Sequence, residues 1–292
     1  MSREASRVLE RNAIIAEALR EAARLLTAQD DKSFRAVAYL NAAKTVEELG
    51  VDVAVIAAKG PDALDSLPHV GKSIATAIQQ LIATGRWPML ERLRGTLDPE
   101  LAFQDVPGIG PAFAQLIHEH LHVDTLEALE AAAHDGRLDT VPGIGKRRVK
   151  IIQNSLAGIL SRRRPVQAQL IATALPDVGM ILDVDREYRD KATAGELKLI
   201  APKRFNPEGV AWLPILHTER DQWQFTALFS NTARAHDLGK TADWVIIFYT
   251  HDHTVENQCT VVTETMGQLK GKRVIRGREE QCAEFYRDLA ID

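Results

Sequence analysis

Cysteine is scarce in this chain of 292 residues: there are two, Cys259 and Cys282, far apart and in no C-x-x-C arrangement. That excludes a disulfide framework and a cysteine-built zinc site, and it fits a reducing compartment. No apolar run approaches the roughly 18 residues that a membrane-spanning helix requires. The opening Met1-Ser2-Arg3-Glu4 leads straight into an amphipathic pattern and lacks the apolar core of a signal peptide. The expectation is a soluble cytoplasmic protein, and a hydrophobic content of 45% provides for ordinary packed cores. An excess of positive charge is also missing, since the net charge is −4. Taken alone, that total gives no sign of a nucleic-acid partner.

The distribution of charge does. Val141 to Arg164 holds seven Lys and Arg and no acidic residue, whereas Pro99 to Thr140 holds eight Asp and Glu against Arg137 alone. A phosphate backbone meets local patches, not the total. The basic stretch begins with Val141-Pro142-Gly143-Ile144-Gly145-Lys146. It has a near-duplicate at Val106-Pro107-Gly108-Ile109-Gly110-Pro111 and a weaker copy at Leu67-Pro68-His69-Val70-Gly71-Lys72. Each copy ends one helical pattern and opens another. Two glycines one residue apart allow a tight turn and close approach of a ligand to the backbone. The helix that follows points unpaired N–H groups and its positive dipole end out of the turn, so a phosphate is the natural occupant. One such turn would be a weak signal, but three are not. They resemble the helix-hairpin-helix motif, which implies a grip on DNA backbone without base reading.

Elsewhere in the first half the periodicity is helical. Asn12 to Leu26 carries a stripe at Ile15, Leu19, Ala22, Ala23 and Leu26. Ser33 to Leu49 places Phe34, Val37, Ala38, Ala42 and Val46 inside, and Val53 to Ala57 makes a short third helix. The helix after the first hairpin runs from Lys72 to Thr84 and stops at Gly85.

This half resembles the N-terminal region of family X DNA polymerases. The residues that carry the resemblance are Asn12, Phe34-Arg35-Ala36-Val37-Ala38-Tyr39, Ala42-Ala43, Leu67 to Ala75 and Ala83-Thr84-Gly85-Arg86. It continues from Phe103-Gln104-Asp105-Val106-Pro107 through Thr125 to Leu129, and on to Arg137-Leu138 and the Gly143 hairpin. It covers about Ala5 to Leu160 and implies a lyase-like helical unit followed by a paired hairpin unit. It also implies Arg35, Tyr39 and Lys44 near a DNA end or gap, and a K⁺ or Na⁺ held by hairpin carbonyls. The matching carbonyls are those of Asp65, Leu67 and Val70, of Gln104, Val106 and Ile109, and of Asp139, Val141 and Ile144.

The family's chemistry does not carry over. Its nucleotidyl transfer needs a Gly-Ser phosphate turn and three palm carboxylates around two Mg²⁺, and this chain has no Gly-Ser dipeptide. Asp183-Val184-Asp185 copies the palm's Asp-x-Asp in a helical pattern, where residues two apart point about 200° from each other. At the position of the Schiff-base lysine stands Ala77. Lys72 is the only lysine on that helix, at its start, where a phosphate ligand is the better role.

Past Leu160 the resemblance ends. Ser161-Arg162-Arg163-Arg164-Pro165 reads as a basic boundary. A helix over Val178 to Lys191 follows, then a hairpin of Ala211–Thr218 with Gln222–Phe229, in which Trp223, Phe225, Ala227 and Phe229 share a side. Asn231 reads as the cap of a short helix ending at Gly239. Further strands are read at Trp244–Tyr249, Cys259–Thr265 and the edge Arg273–Arg276, with a closing helix over Glu279–Leu289. The histidines His118, His120 and His122 alternate and read as surface groups. His251-Asp252-His253 reads as a polar turn, and His217 and His236 carry no assigned role.

The fold class is therefore multidomain: an all-α half with three helix-hairpin-helix motifs, then a small α+β domain. The units are a lyase-like domain (1–96), a tandem hairpin domain (97–164) and an α+β domain without an assigned role (165–292). The expected function is non-sequence-specific DNA binding, in repair or processing of gapped or nicked DNA. The DNA contacts are Gly71, Lys72 and Ser73 in the first turn, and Gly108, Gly110 and Ala112 in the second. In the third they are Gly143, Gly145, Lys146, Arg147 and Lys150, and Arg35 and Lys44 join them. The competing reading is a DNA-processing enzyme, a nuclease or lyase, whose C-terminal domain carries the chemistry; a third makes that domain a protein-interaction module.

Overall fold

The structure, a computed structural model, describes residues 3–60, 62–161, 175–251 and 256–289. Arg162 to Arg164, Asp252 and His253 lie outside the described residues. A helical half precedes a six-stranded antiparallel sheet with helices, so the molecule is multidomain, all-α then α+β.

The first helices are α1 (Arg3–Ala28), α2 (Arg35–Glu47) and α3 (Val53–Ala57). Asn12 is 1% exposed and ties their ends. Its side chain donates to Val51 O at 2.9 Å and accepts from Val53 N at 3.0 Å, and Asp52 caps α3. Next come α4 (Asp62–Asp65), α5 (Lys72–Thr84) and α6 (Pro88–Arg94). Gly85 and Gly95 end α5 and α6 in left-handed conformations that favour glycine. One expectation for α2 fails. Tyr39, Ala42, Ala43 and Val46 form its buried face, while Phe34 is 86% and Val37 55% exposed.

The hairpin unit comprises α7 (Pro99–Phe103), α8 (Pro111–Leu121), α9 (Leu126–His134), a 3₁₀ turn at Arg137–Thr140 and α10 (Lys146–Ser161). Its own core includes Phe103, Ile117, Leu129, Ile152 and Leu156. The last part holds α11 (Val178–Ala194), β1 (Lys198–Ile200), β2 (Leu213–Arg220), β3 (Trp223–Phe229), α12 (Ala233–Asp237), β4 (Val245–His251), β5 (Asn257–Thr263), β6 (Arg273–Ile275) and α13 (Glu279–Asp288). The strands pair in sequence order. The short strand β1 is absent from the sequence reading. The cap of α12 also differs: Thr232 accepts from Ala235 N, while Asn231 spends its side chain on Arg204 O and on His236.

Both faces of the sheet are covered. Alternation sends Phe225, Ala227, Val245 and Ile247 toward α11, with Ile181, Val184 and Tyr188, as the period-two writing of β3 requires. The opposite parity, Leu213, Ile215, Leu228, Ile246 and Phe248, joins a core with Leu19, Leu26, Ile78 and Leu93 of the N-terminal helices. Each such side chain contributes about 1.5–3 kcal/mol on full burial. The helical half is therefore packed onto the sheet rather than tethered beside it. At this joint a Cβ on Gly95 would sit 2.5 Å from Ala201 O, and Lys203 N donates to Gly95 O at 2.7 Å.

Candidate nucleic-acid interface

The three turns share one geometry. In each, the first apolar carbonyl accepts from the N–H of the second: Leu67 from Val70 at 3.1 Å, Val106 from Ile109 at 3.0 Å and Val141 from Ile144 at 3.1 Å. Proline follows the acceptor, and the next residue has positive φ, 61° at His69, 94° at Gly108 and 78° at Gly143. That is a type II turn, which wants glycine at its third position. The first copy holds His69 there against a penalty of roughly 1–2 kcal/mol. The second glycine of each turn then opens a helix, accepting at 2.9 Å from Ala75 N (Gly71), at 2.9 Å from Ala114 N (Gly110) and at 3.1 Å from Val149 N (Gly145). A Cβ on Gly110 or Gly145 would meet nothing within 4 Å. The space beside these amides is open to a ligand.

The second and third turns are packed against each other's helices. A Cβ on Gly108 would lie 3.5 Å from Ile151 of α10, and one on Gly143 would lie 3.5 Å from the Phe113 ring of α8. Arg148 closes the joint, with its guanidinium 4.1 Å from the Phe113 ring centroid and its Nη1 donating to Gly143 O at 3.0 Å. This pair leaves only a faint trace in the sequence: an arginine and an aromatic, each three residues after the second glycine of its turn.

Charge separates the turns. Lys146, Arg147 and Lys150 are exposed and make no ion pair among the described residues, and Gly143 and Gly145 beside them are exposed as well. Gly110 and Ala112 are exposed too, but the first helical residue there is Pro111, which has no N–H to offer. At the first turn Lys72 is exposed, while Gly71 and Ser73 are half-buried beside a cavity. Of the residues expected near a DNA end, Lys44 is exposed near Glu48, and Tyr39 is buried with its hydroxyl 3.4 Å from Met89 Sδ. Arg35 is only 11% exposed and pairs with Asp31 at 2.9 Å.

The rest of that polar cluster crosses to the sheet. His217 accepts at Nδ1 from Arg35 at 3.2 Å, and its Nε2 lies 3.1 Å from Gln29 Oε1, which fixes the neutral tautomer with the proton on Nε2. Burial, and then the Arg35 guanidinium, push His217 down to about 3. His118 and His122 are buried, which corrects the surface reading. His118 sits between Asp124 at 2.8 Å and Glu100 at 3.2 Å. Burial opposes its charge, but the two carboxylates outweigh that and raise it. His122 packs its ring 4.2 Å from that of Trp244, and burial with the nearby His118 pushes it down to about 3.

These shifts set a pH dependence. In the unfolded chain His122 and His217 titrate near 6.5, so below that pH the unfolded state binds protons that the native state refuses. Stability is therefore lost as pH falls below about 6.5. The raised His118 has the opposite sign: its contribution is complete below about 6.5 and is lost as pH rises through its native value. Urea denaturation should show a loss of roughly 2 kcal/mol between pH 7 and pH 5.5, at about 1.4 kcal/mol per proton per pH unit. A flat profile over that interval would mean that both imidazoles protonate in place.

The Asp-x-Asp pair does not converge. Asp183 faces Arg220 at 2.9 Å, while the 1%-exposed Asp185 is held by Arg273 at 2.6 Å and Arg189 at 3.0 Å. Ala77 is buried at the wall of the cavity beside the first turn. Cys259 and Cys282 are unpaired. No helix among the described residues is long and apolar enough to cross a membrane.

Comparison with known proteins agrees with the repeated turns. Residues 10–87 match the model of the Helix-hairpin-helix domain, and residues 100–157 match that of the SAM-like Helix-hairpin-helix tandem. The chain carries helix-hairpin-helix domains. This supports binding to DNA without sequence preference. No curated protein matches the chain. The second match stops at Ala157, within α10, and the sheet lies outside both.

Proposed function

We propose that this protein holds gapped or nicked DNA during repair or processing, as a family X-like N-terminal region without a polymerase site. The observation that carries the reading is the third turn, where two exposed glycines adjoin three exposed cations that make no ion pair among the described residues. Backbone N–H groups position a phosphate, and Lys146, Arg147 and Lys150 add attraction through counterion release. The first turn adds Gly71, Lys72 and Ser73, the second Gly108, Gly110 and Ala112, with Arg35 and Lys44 toward a strand end. The carbonyls of Leu67, Val70, Val106, Ile109, Val141 and Ile144 line the same turns and have the hard oxygen chemistry for K⁺ or Na⁺. Domains at 1–96, 97–164 and 165–292, and a cytoplasmic location, belong to the same reading.

The test is a titration of unrelated duplexes of equal length at several salt concentrations. Affinity should fall steeply and linearly in log–log form, with the same slope for each sequence. A sequence preference above about 100-fold, roughly 2.7 kcal/mol and so the size of one or two read bases at about 1–3 kcal/mol each, would overturn backbone-only binding.

A further inference from the structure

The segment between β1 and β2 holds an aromatic side chain in a costly backbone conformation. Five non-glycine residues among those described have positive φ, and four of them are Asp or His, which tolerate it best. The fifth is Phe205, at φ 51°, and it is 49% exposed. A bulky residue stays in that region only where its surroundings over-determine it, and such positions gather at functional sites. Here the surroundings are built for it. Asn206 closes the loop, donating from Nδ2 to Val210 O at 2.8 Å and accepting from Val210 N at 3.1 Å. Asn231 donates to Arg204 O at 3.1 Å and accepts at Oδ1 from His236 Nε2 at 2.6 Å. That fixes the His236 ring 4.7 Å from the ring of Phe205 and 6.0 Å from that of Trp212. Burial is not what the strain achieves, since about half of Phe205 faces solvent.

Cations accompany the rings. Residues 198–210 and 231–240 hold Lys198, Lys203, Arg204, Arg234 and Lys240 against Glu208 and Asp237. Arg204 pairs with Glu100 and Lys240 with Asp243, while Lys198, Lys203 and Arg234 are exposed and make no ion pair among the described residues. Arg234 also reaches His120, 3.4 Å away near the end of α8, and α8 begins at the second turn. At 1.5 Å per residue along α8, the rings lie about 15 Å from that turn. Exposed aromatic faces among unpaired cations are the chemistry that holds single-stranded nucleic acid, because every base has a π-face and the cations meet the backbone. A paired duplex keeps its base faces inside the stack, and an apolar protein segment has no use for the charge. We propose that Phe205 and His236 form a stacking platform for an unpaired base of a DNA strand, with Lys203 and Arg234 on the flanking phosphates. The C-terminal part then shares in holding gapped DNA, and the proposal rests on the DNA-binding reading above.

The experiment follows the fluorescence anisotropy of labelled probes: a short oligothymidylate, an abasic strand of the same length and charge, and a paired duplex. The wild type should bind the oligothymidylate about tenfold more tightly than the abasic strand, within what one stacked base contributes. That ratio should hold as salt rises, because stacking releases no counterions, while all the affinities fall. Phe205→Gly relaxes the backbone and removes the ring. It should abolish the ratio and bind the paired duplex as the wild type does. Phe205→Leu, which keeps an apolar side chain without a π-face, should do the same, whereas Phe205→Trp should preserve the ratio. A wild type that does not distinguish the two strands overturns the proposal. A ratio that survives both Phe205→Gly and Phe205→Leu overturns it too, and leaves the patch to an apolar protein segment. A Phe205-dependent ratio without any binding of the paired duplex supports the platform and strikes the hairpin reading instead.

Discussion

Replacing Lys146, Arg147 and Lys150 together by glutamine is expected to weaken DNA binding by roughly 2–4 kcal/mol, at about 1 kcal/mol per lost phosphate contact, and to lower the salt slope by about 2–3. The three side chains are exposed and make no ion pair among the described residues, so their removal breaks none in the fold described. Most non-specific free energy comes from released counterions, and the turn amides mainly fix register. Gly110→Val is the matched control. Gly110 has φ −90°, which any residue adopts, and a Cβ there would touch nothing within 4 Å. Beyond the weaker helix start that valine gives, its cost is obstruction of a phosphate at a turn without cations, so it should lose less affinity and keep the salt slope. Titration of both variants against gapped duplex at two salt concentrations decides between them. A larger loss from Gly110→Val, or an unchanged slope in the triple variant, would shift the anchor away from the third turn.

The turns were legible because their geometry is written locally. Proline followed by glycine, an apolar residue and a second glycine dictates a type II turn and a helix start within six residues. Strand alternation was legible in β3 for the same reason. The sequence writing of β4 already held more: Val245 to Tyr249 is apolar without alternation, which marks a strand covered on both faces. What it could not name was the second cover, because Leu19, Ile78 and Leu93 lie far away in the chain. Burial of His118 and His122 was hidden likewise. The residue types suit a surface, and only Glu100, Asp124, Arg204 and Trp244, brought together by the fold, make the interior tolerable for them. At Asn231 and Thr232 two good caps stand side by side; the extended dihedrals of Thr232 decide, and Asn231 serves His236 instead. The cavity was invisible for a related reason. Its walls come from residues 34 to 256, and no local pattern marks residues so far apart in the chain as lining one cavity.

The joint that builds this cavity buries one charge within its apolar core, and removing that charge's partner should be a most damaging single change. Arg92 is 2% exposed, donates from Nη2 to Glu256 Oε1 at 2.6 Å, and lies 3.7 Å from the Phe248 ring centroid. Its Nε and Nη1 have no partner among the described residues. Glu256 is therefore the only carboxylate that compensates the guanidinium among the described residues. Glu256→Gln should cost about 3–5 kcal/mol in urea denaturation, because it leaves a cation buried without its counter-charge. The cost should not arise in Arg92→Met/Glu256→Gln. There the charge is gone, the methionine keeps much of the apolar contact with Phe248, and such replacements are often neutral or even stabilising. The double variant should recover most of the loss, giving a large coupling energy in the cycle. If Glu256→Gln loses less than about 1 kcal/mol, the range of an exposed pair, Arg92 has water or another acceptor, and the joint does not depend on this ion pair.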